Sequence, residues 1–191
     1  TLNARDMSDE SANRFGSGAL THAQRLAAAS GSTTTTSTDA DSQGSQIANG
    51  VETKQFNVQD GFGIQRLHQA GIQTAIITGR SSSIVSHRAK ELKITHLVQG
   101  REDKLTALNE LLASVGFSLA DCAYIGDDWP DIKALQSVGF AVTVPNANGE
   151  VIKRVDMVTT RAGGQGAVRE VCDLILKATG QFDTILGGYV I

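Results

Sequence analysis

The sequence predicts an α/β fold, a parallel sheet covered by helices on both faces. Three observations predict it. From residue 51 onward, short apolar runs alternate with stretches of helical period. That alternation implies parallel strands with helices packed over them. The polar residues that stand out also follow the apolar runs directly, at the strand ends where such sheets hold ligands.

The elements follow in order. Gly63–Ala70 reads as a helix, with Ile64 and Leu67 three apart. Gln73–Ile77 reads as a strand that runs into the turn Thr78-Gly79-Arg80. Ser82–Leu92 reads as a helix, Thr95–Val98 as a strand and Lys104–Val115 as a helix. Cys122–Ile125 reads as a strand, Asp128–Val138 as a helix, and Phe140–Val144 and Asp156–Thr159 as strands. Gly166–Ala178 closes the pattern as a helix with a broad apolar face of Val168, Val171, Cys172, Leu174, Ile175 and Leu176.

The first part of the chain differs. Residues 1–46 are rich in Ser, Thr, Ala, Gly, Asp and Asn, a low-complexity segment expected to be poorly ordered, ahead of a domain over 47–191. Within it Thr21–Ala29 reads as a short helix and Ser30–Gln46 as a linker.

Size and charge narrow the function. A chain of 191 residues fits one domain with an appendage, and its net charge of −3 argues against a nucleic-acid surface. No apolar stretch approaches the roughly 18 residues that span a bilayer, and no signal-peptide pattern opens the chain, so no membrane partner is expected. Cys122 and Cys172 fall inside apolar elements and read as buried free thiols, which fits a cytoplasmic location. His22, His68, His87 and His96 show no metal spacing.

Gly126-Asp127-Asp128-Trp129-Pro130-Asp131 sets three carboxylates at the end of a buried strand. Like charges so close are costly without a cation among them, and an all-oxygen set suits Mg²⁺. The competing explanation is an Asp that caps the next helix. Thr78-Gly79-Arg80-Ser81-Ser82 sets a hydroxyl, a glycine and a guanidinium between strand and helix. Backbone N–H groups there suit a phosphate or carboxylate, and Arg80 a second anionic group, although a plain Ser-capped turn would look the same.

Lys104 is a natural counter-charge for a transferring phosphoryl group, or simply a solvated lysine at a helix start. Phe56-Asn57-Val58-Gln59-Asp60-Gly61 is a polar turn, structural or ligand-binding in equal measure. Arg88 lies two helical turns beyond Arg80 and faces either the same cleft or solvent. Gly163-Gly164-Gln165-Gly166 lacks the Lys-Ser/Thr of a P-loop and reads as a turn into the last helix.

In this order, Thr78, Lys104 and Gly126-Asp127-Asp128 resemble motifs II, III and IV of haloacid dehalogenase-superfamily phosphatases. Residues 49–61, 75–82 and 163–173 resemble more closely the 3-deoxy-D-manno-octulosonate 8-phosphate phosphatases, over roughly residues 49–186. The resemblance implies a Rossmann-like three-layer αβα core with no large cap. It implies Mg²⁺-dependent hydrolysis of a phosphorylated sugar acid for lipopolysaccharide synthesis, in a homotetramer whose neighbours partly close each site. By matching position, Asp127 is a metal ligand and Asp128 its supporting neighbour. Thr78 and Lys104 hold the phosphoryl group. Asn57, Val58, Gln59, Asp60, Gly61, Gly79, Arg80, Arg88 and Lys104 contact substrate. Gln65 stands where the family has a further arginine.

The family's first motif, Asp-x-Asp-Gly, supplies the nucleophile and the acid–base group. An ungapped count back from Asn49 puts those two positions on Thr34 and Thr36, with the strand on Ser30–Thr33. Asp39-Ala40-Asp41 has the right spelling without the preceding apolar strand. The sequence therefore predicts a phosphatase with weak turnover. The alternatives are a non-catalytic sugar-acid-binding or assembly subunit, or the phosphatase-like module of a longer nucleotidyltransferase.

Overall fold

The computed structural model describes residues 53–191 in full and the backbone of 26–30, 46–48, 51 and 52. Thr34, Thr36, Asp39 and Asp41 lie outside the described residues, as does most of the expected 30–46 linker. Six strands, β1 (Leu26–Ser30), β4 (Gln73–Thr78), β5 (His96–Gln99), β6 (Cys122–Ile125), β7 (Phe140–Thr143) and β8 (Met157–Val158), form one parallel sheet. Their order across it is β5-β4-β1-β6-β7-β8. The strands β2 (Gln46–Ala48) and β3 (Val51–Thr53) pair antiparallel as a separate two-stranded sheet.

Helices cover both faces, as the alternation predicts. Residues of α1 (Val58–Gln69), α2 (Ser83–Glu91) and α6 (Ala167–Ala178) share one apolar cluster with Ile76, Ile125 and Val142. Residues of α3 (Lys104–Val115), α4 (Ile132–Leu135) and α5 (Gly149–Ile152) share the other with Ala75, Ile77, Cys122 and Tyr124. Successive strand residues thus point into opposite cores, and both faces of the sheet are buried. A last short helix, α7 (Phe182–Leu186), follows α6. Cys122 and Cys172 are both free and buried.

Three expectations need correction. Leu26–Ala29 is strand, not the end of a helix, because it pairs along its whole length with both β4 and β6. Its run of alanines favours helix intrinsically, and the tertiary ladder overrides that preference. The first strand accordingly spans Leu26–Ser30 rather than starting at Ser30. Next, α1 begins at Val58 instead of Gly63, because Asn57 Oδ1 accepts the Gln59 N–H at 2.8 Å and caps it. Finally, Asp128–Val138 is no continuous helix. A 3₁₀ turn over Trp129–Asp131 precedes the single turn of α4, as Pro130 permits near a helix start.

The register locates the site. Ala29 of β1 pairs with Ile76 on one side and Ile125 on the other. Thr78 and Asp127, each two residues further on, therefore stand near one level across the end of β1. Two strand spacings put them roughly 10 Å apart.

Candidate active site

The C-terminal edge of the sheet gathers three pieces. Thr78 ends β4, half-buried, and its Oγ1 accepts the Arg80 N–H at 3.2 Å. Its carbonyl accepts the Arg101 N–H at 3.2 Å, which brings the loop after β5 alongside. Lys104 opens α3, where Asp103 caps the helix by accepting the Thr106 N–H at 3.3 Å. The third piece is the loop after β6, Gly126 to Asp131.

That loop is organised around Asp131. Its side chain is fully buried, and Oδ1 accepts from Lys104 Nζ at 2.8 Å and from the Tyr124 hydroxyl at 2.8 Å. Oδ2 accepts the backbone N–H groups of Asp127 and Asp128, each at 3.4 Å. Gly126 makes the arrangement possible, since a Cβ there would lie 2.5 Å from Asp131 Cβ. Burial first, and then the negative charge of Asp131, drive the Tyr124 pKa far above its ordinary value, so its hydroxyl stays a donor.

This corrects the expectation of a three-carboxylate Mg²⁺ cluster. The cation that compensates Asp131 is the Lys104 ammonium, itself buried rather than solvated. Asp128 is exposed and caps the 3₁₀ turn by accepting the Trp129 N–H at 2.8 Å. Asp127 remains half-buried at the strand end, and its carbonyl accepts the Asn148 N–H at 2.9 Å. Among the described residues no three His, Cys, Asp or Glu side chains converge to hold a metal. The donor set still fits Mg²⁺, which commonly uses one or two carboxylates with phosphate oxygens and water.

The other predicted residues divide. Arg80 and Gly79 are exposed beside Thr78. Arg88 packs against Gly61, where a Cβ would lie 2.5 Å from its Nη2, and over the Phe56 ring at 5.4 Å. It also pairs with Glu91 at 3.3 Å. Val58 is exposed, and Gln59 Oε1 accepts from Arg161 Nη1 at 2.6 Å. Asp60 is buried, and its carboxylate accepts the Arg169 N–H at 2.8 Å. It is thereby committed to the first turn of α6, a helix-capping role that the turn-like sequence did not suggest. Burial raises its pKa, opposed by backbone N–H groups of Arg169 and Gly166. Gly164 and Gly166 both adopt positive φ, 74° and 99°, and turn the chain into α6 as expected.

Residues that the sequence reading left out of the site are Asp131, as Lys104's partner, and Tyr124. The available signal was weak. Tyr124 is the one hydroxyl-bearing residue in an otherwise apolar strand, and Asp131 lies one turn past Asp127.

Residues 96–171 match the family of haloacid dehalogenase-like hydrolases. The chain is 47% identical over 139 residues to the 3-deoxy-D-manno-octulosonate 8-phosphate phosphatase KdsC of Escherichia coli, covering 73% of this chain and 74% of that one. It is 46% identical over 138 residues to the phosphatase of the same name from Yersinia pestis, covering 72% and 74%. Among solved structures it resembles the Moraxella catarrhalis phosphatase in complex with magnesium, phosphate and KDO. That match has a TM-score of 0.82 and 47% identity, over 91% of this chain and 98% of that one. The cobalt-bound phosphatase of Haemophilus influenzae matches with a TM-score of 0.80 and 35% identity, over 90% and 99%.

Proposed function

The chain belongs to the 3-deoxy-D-manno-octulosonate 8-phosphate phosphatase family of haloacid dehalogenase-like hydrolases, and on that premise we propose that it acts on the 8-phosphate of 3-deoxy-D-manno-octulosonate (KDO). The reaction class is hydrolysis of a phosphomonoester, in the synthesis of lipopolysaccharide. The observation that carries this reading is the buried Lys104–Asp131 pair beside the strand end that bears Asp127. A lysine held at that edge neutralises phosphoryl charge, and phosphoryl transfer depends chiefly on positioning and charge neutralisation.

In this reading the Thr78 hydroxyl and the Lys104 ammonium hold the phosphoryl group. Gly79, Arg80 and Arg88 recognise the anionic sugar acid, with Asn57, Val58, Gln59 and Gly61 shaping the wall. Asp60 contributes by fixing α6 against that wall. Asp127, supported by Asp128, would hold Mg²⁺, which supplies further neutralisation of phosphate charge when bound.

The nucleophile is where this chain departs from its family: β1 ends at Ser30, and the residues from Gly31 to Thr38 that follow it, the counted Thr34 and Thr36 among them, include no carboxylate. A hydroxyl cannot replace an aspartate as acyl-phosphate former. We therefore expect Mg²⁺-dependent release of phosphate from KDO 8-phosphate at well under about 1 s⁻¹, the low end for enzymes. A rate at or above that would show that Asp39 or Asp41 stands in. Release independent of Mg²⁺, or equally fast from any small phosphomonoester, would contradict the proposal. The same threonines favour a second reading, a subunit that binds the sugar acid without turnover.

A homotetramer is part of the proposal. It is supported by the β2–β3 hairpin, which among the described residues pairs only with itself. A lone two-stranded hairpin is marginal in water and gains from a neighbour. Sedimentation equilibrium should give four chains per particle, and a monomer would count against it. A cytoplasmic location belongs to the same reading, supported by the two free buried thiols. Recovery with the membrane or secreted fraction would contradict it. Among the described residues no helix is long and apolar enough to cross a membrane.

A further inference from the structure

Tyr124 lies wholly inside the core between α3, α4 and the sheet. Phenylalanine would fill the same space without a polar atom to satisfy. Yet a hydroxyl is buried there, and it donates to the same Asp131 oxygen that takes Lys104 Nζ, each at 2.8 Å. Two donors on one oxygen compete for its electron density, and in a low-dielectric interior each contact counts for more than in water. The other oxygen is occupied by the N–H groups of Asp127 and Asp128. One buried carboxylate thus ties the lysine to the Asp127 loop, and the phenol is its only neutral side-chain donor among the described residues.

We propose that Tyr124 is a positioning residue of the phosphoryl site, limiting how tightly Asp131 holds Lys104 and so how much ammonium charge an incoming phosphate meets. The inference rests on the reading that Lys104 meets the phosphoryl group. Without the phenol, Oδ1 serves Lys104 alone, the ion pair tightens, and the lysine turns less readily to an anion.

The test compares Tyr124→Phe with Thr143→Val in the full chain. Thr143 Oγ1 donates to the Gly126 carbonyl at 2.6 Å, so its loss removes a buried hydrogen bond from the same loop without touching Lys104. In chain carrying ¹⁵N-lysine, NMR reads hydrogen exchange at the Lys104 ammonium, and calorimetry reads the affinity for inorganic phosphate. Tyr124→Phe should slow ammonium exchange at least about threefold and weaken phosphate binding about fivefold or more. Thr143→Val should change neither by more than about twofold. These thresholds follow from losing one hydrogen bond to a charged group. Unchanged ammonium exchange in Tyr124→Phe, or the same change in both variants, overturns the proposal. If wild type binds no phosphate while Tyr124→Phe still slows the exchange, the phosphoryl reading of Lys104 fails and the hold of Tyr124 on the pair stands.

Discussion

Asp131→Ala should destabilise the protein by about 3–5 kcal/mol, the usual cost of breaking a buried ion pair from one side. The substitution strips Lys104 Nζ and the Tyr124 hydroxyl of the oxygen both donate to. It also releases the N–H groups of Asp127 and Asp128 that Asp131 gathers. Against a total stability of about 5–15 kcal/mol, such a loss is a large share. Urea unfolding followed by circular dichroism reads it, and with a slope of about 2–3 kcal/mol per molar the midpoint should fall by about 1–2.5 M. A change below about 1 kcal/mol would mean that the pair is solvated and the loop is held by something else.

Removing the pair as a unit should behave differently. Lys104→Met combined with Asp131→Asn replaces both charges at similar volume, and such exchanges are often neutral for folding. Asparagine has one acceptor oxygen, so it serves either the Tyr124 hydroxyl or the Asp127 and Asp128 N–H groups, not both. Stability should therefore fall by about 1–3 kcal/mol, the cost of the donors left over, and by less than in Asp131→Ala. Affinity for KDO 8-phosphate should fall at least tenfold, since a charge-assisted hydrogen bond contributes about 1.5–3 kcal/mol. Calorimetric titration at matched folded fraction checks both halves of the claim. Retained affinity would remove Lys104 from the phosphoryl site. Collapse of the fold would show that the pair is needed for structure as well as for binding.

Much of the fold was legible because both faces of the sheet are buried. Runs such as Gln73–Ile77 and Cys122–Ile125 can be little else than strands, and the observed β4 and β6 agree with them within a residue. The start of α1 was hidden because Asp60, Gly61 and Gly63 look like turn residues. Two of them serve packing instead, Gly61 under Arg88 and Gly63 under Arg169 and Cys172. β1 reads as helix from its own residues because alanine favours helix, and only pairing with its two neighbours makes it a strand.

At the site, Thr78, Lys104 and Asp127 were legible as residue types following strand ends. What each carboxylate does was not. Spacing along a chain cannot show that Asp131 turns inward to a lysine 27 residues away while Asp128 caps a turn. The acidic cluster marks the loop after β6, and one of its charges belongs to the lysine.

The central claim is that the C-terminal edge of the sheet anchors its ligand by the phosphoryl group. Titration of KDO 8-phosphate and of KDO into the chain, both with Mg²⁺ present, tests it directly. The account predicts one site per chain for the phosphate ester and at least tenfold weaker binding of the free sugar acid, the loss of one charge-assisted anchor. Equal affinity for the two, or binding of neither, would contradict it.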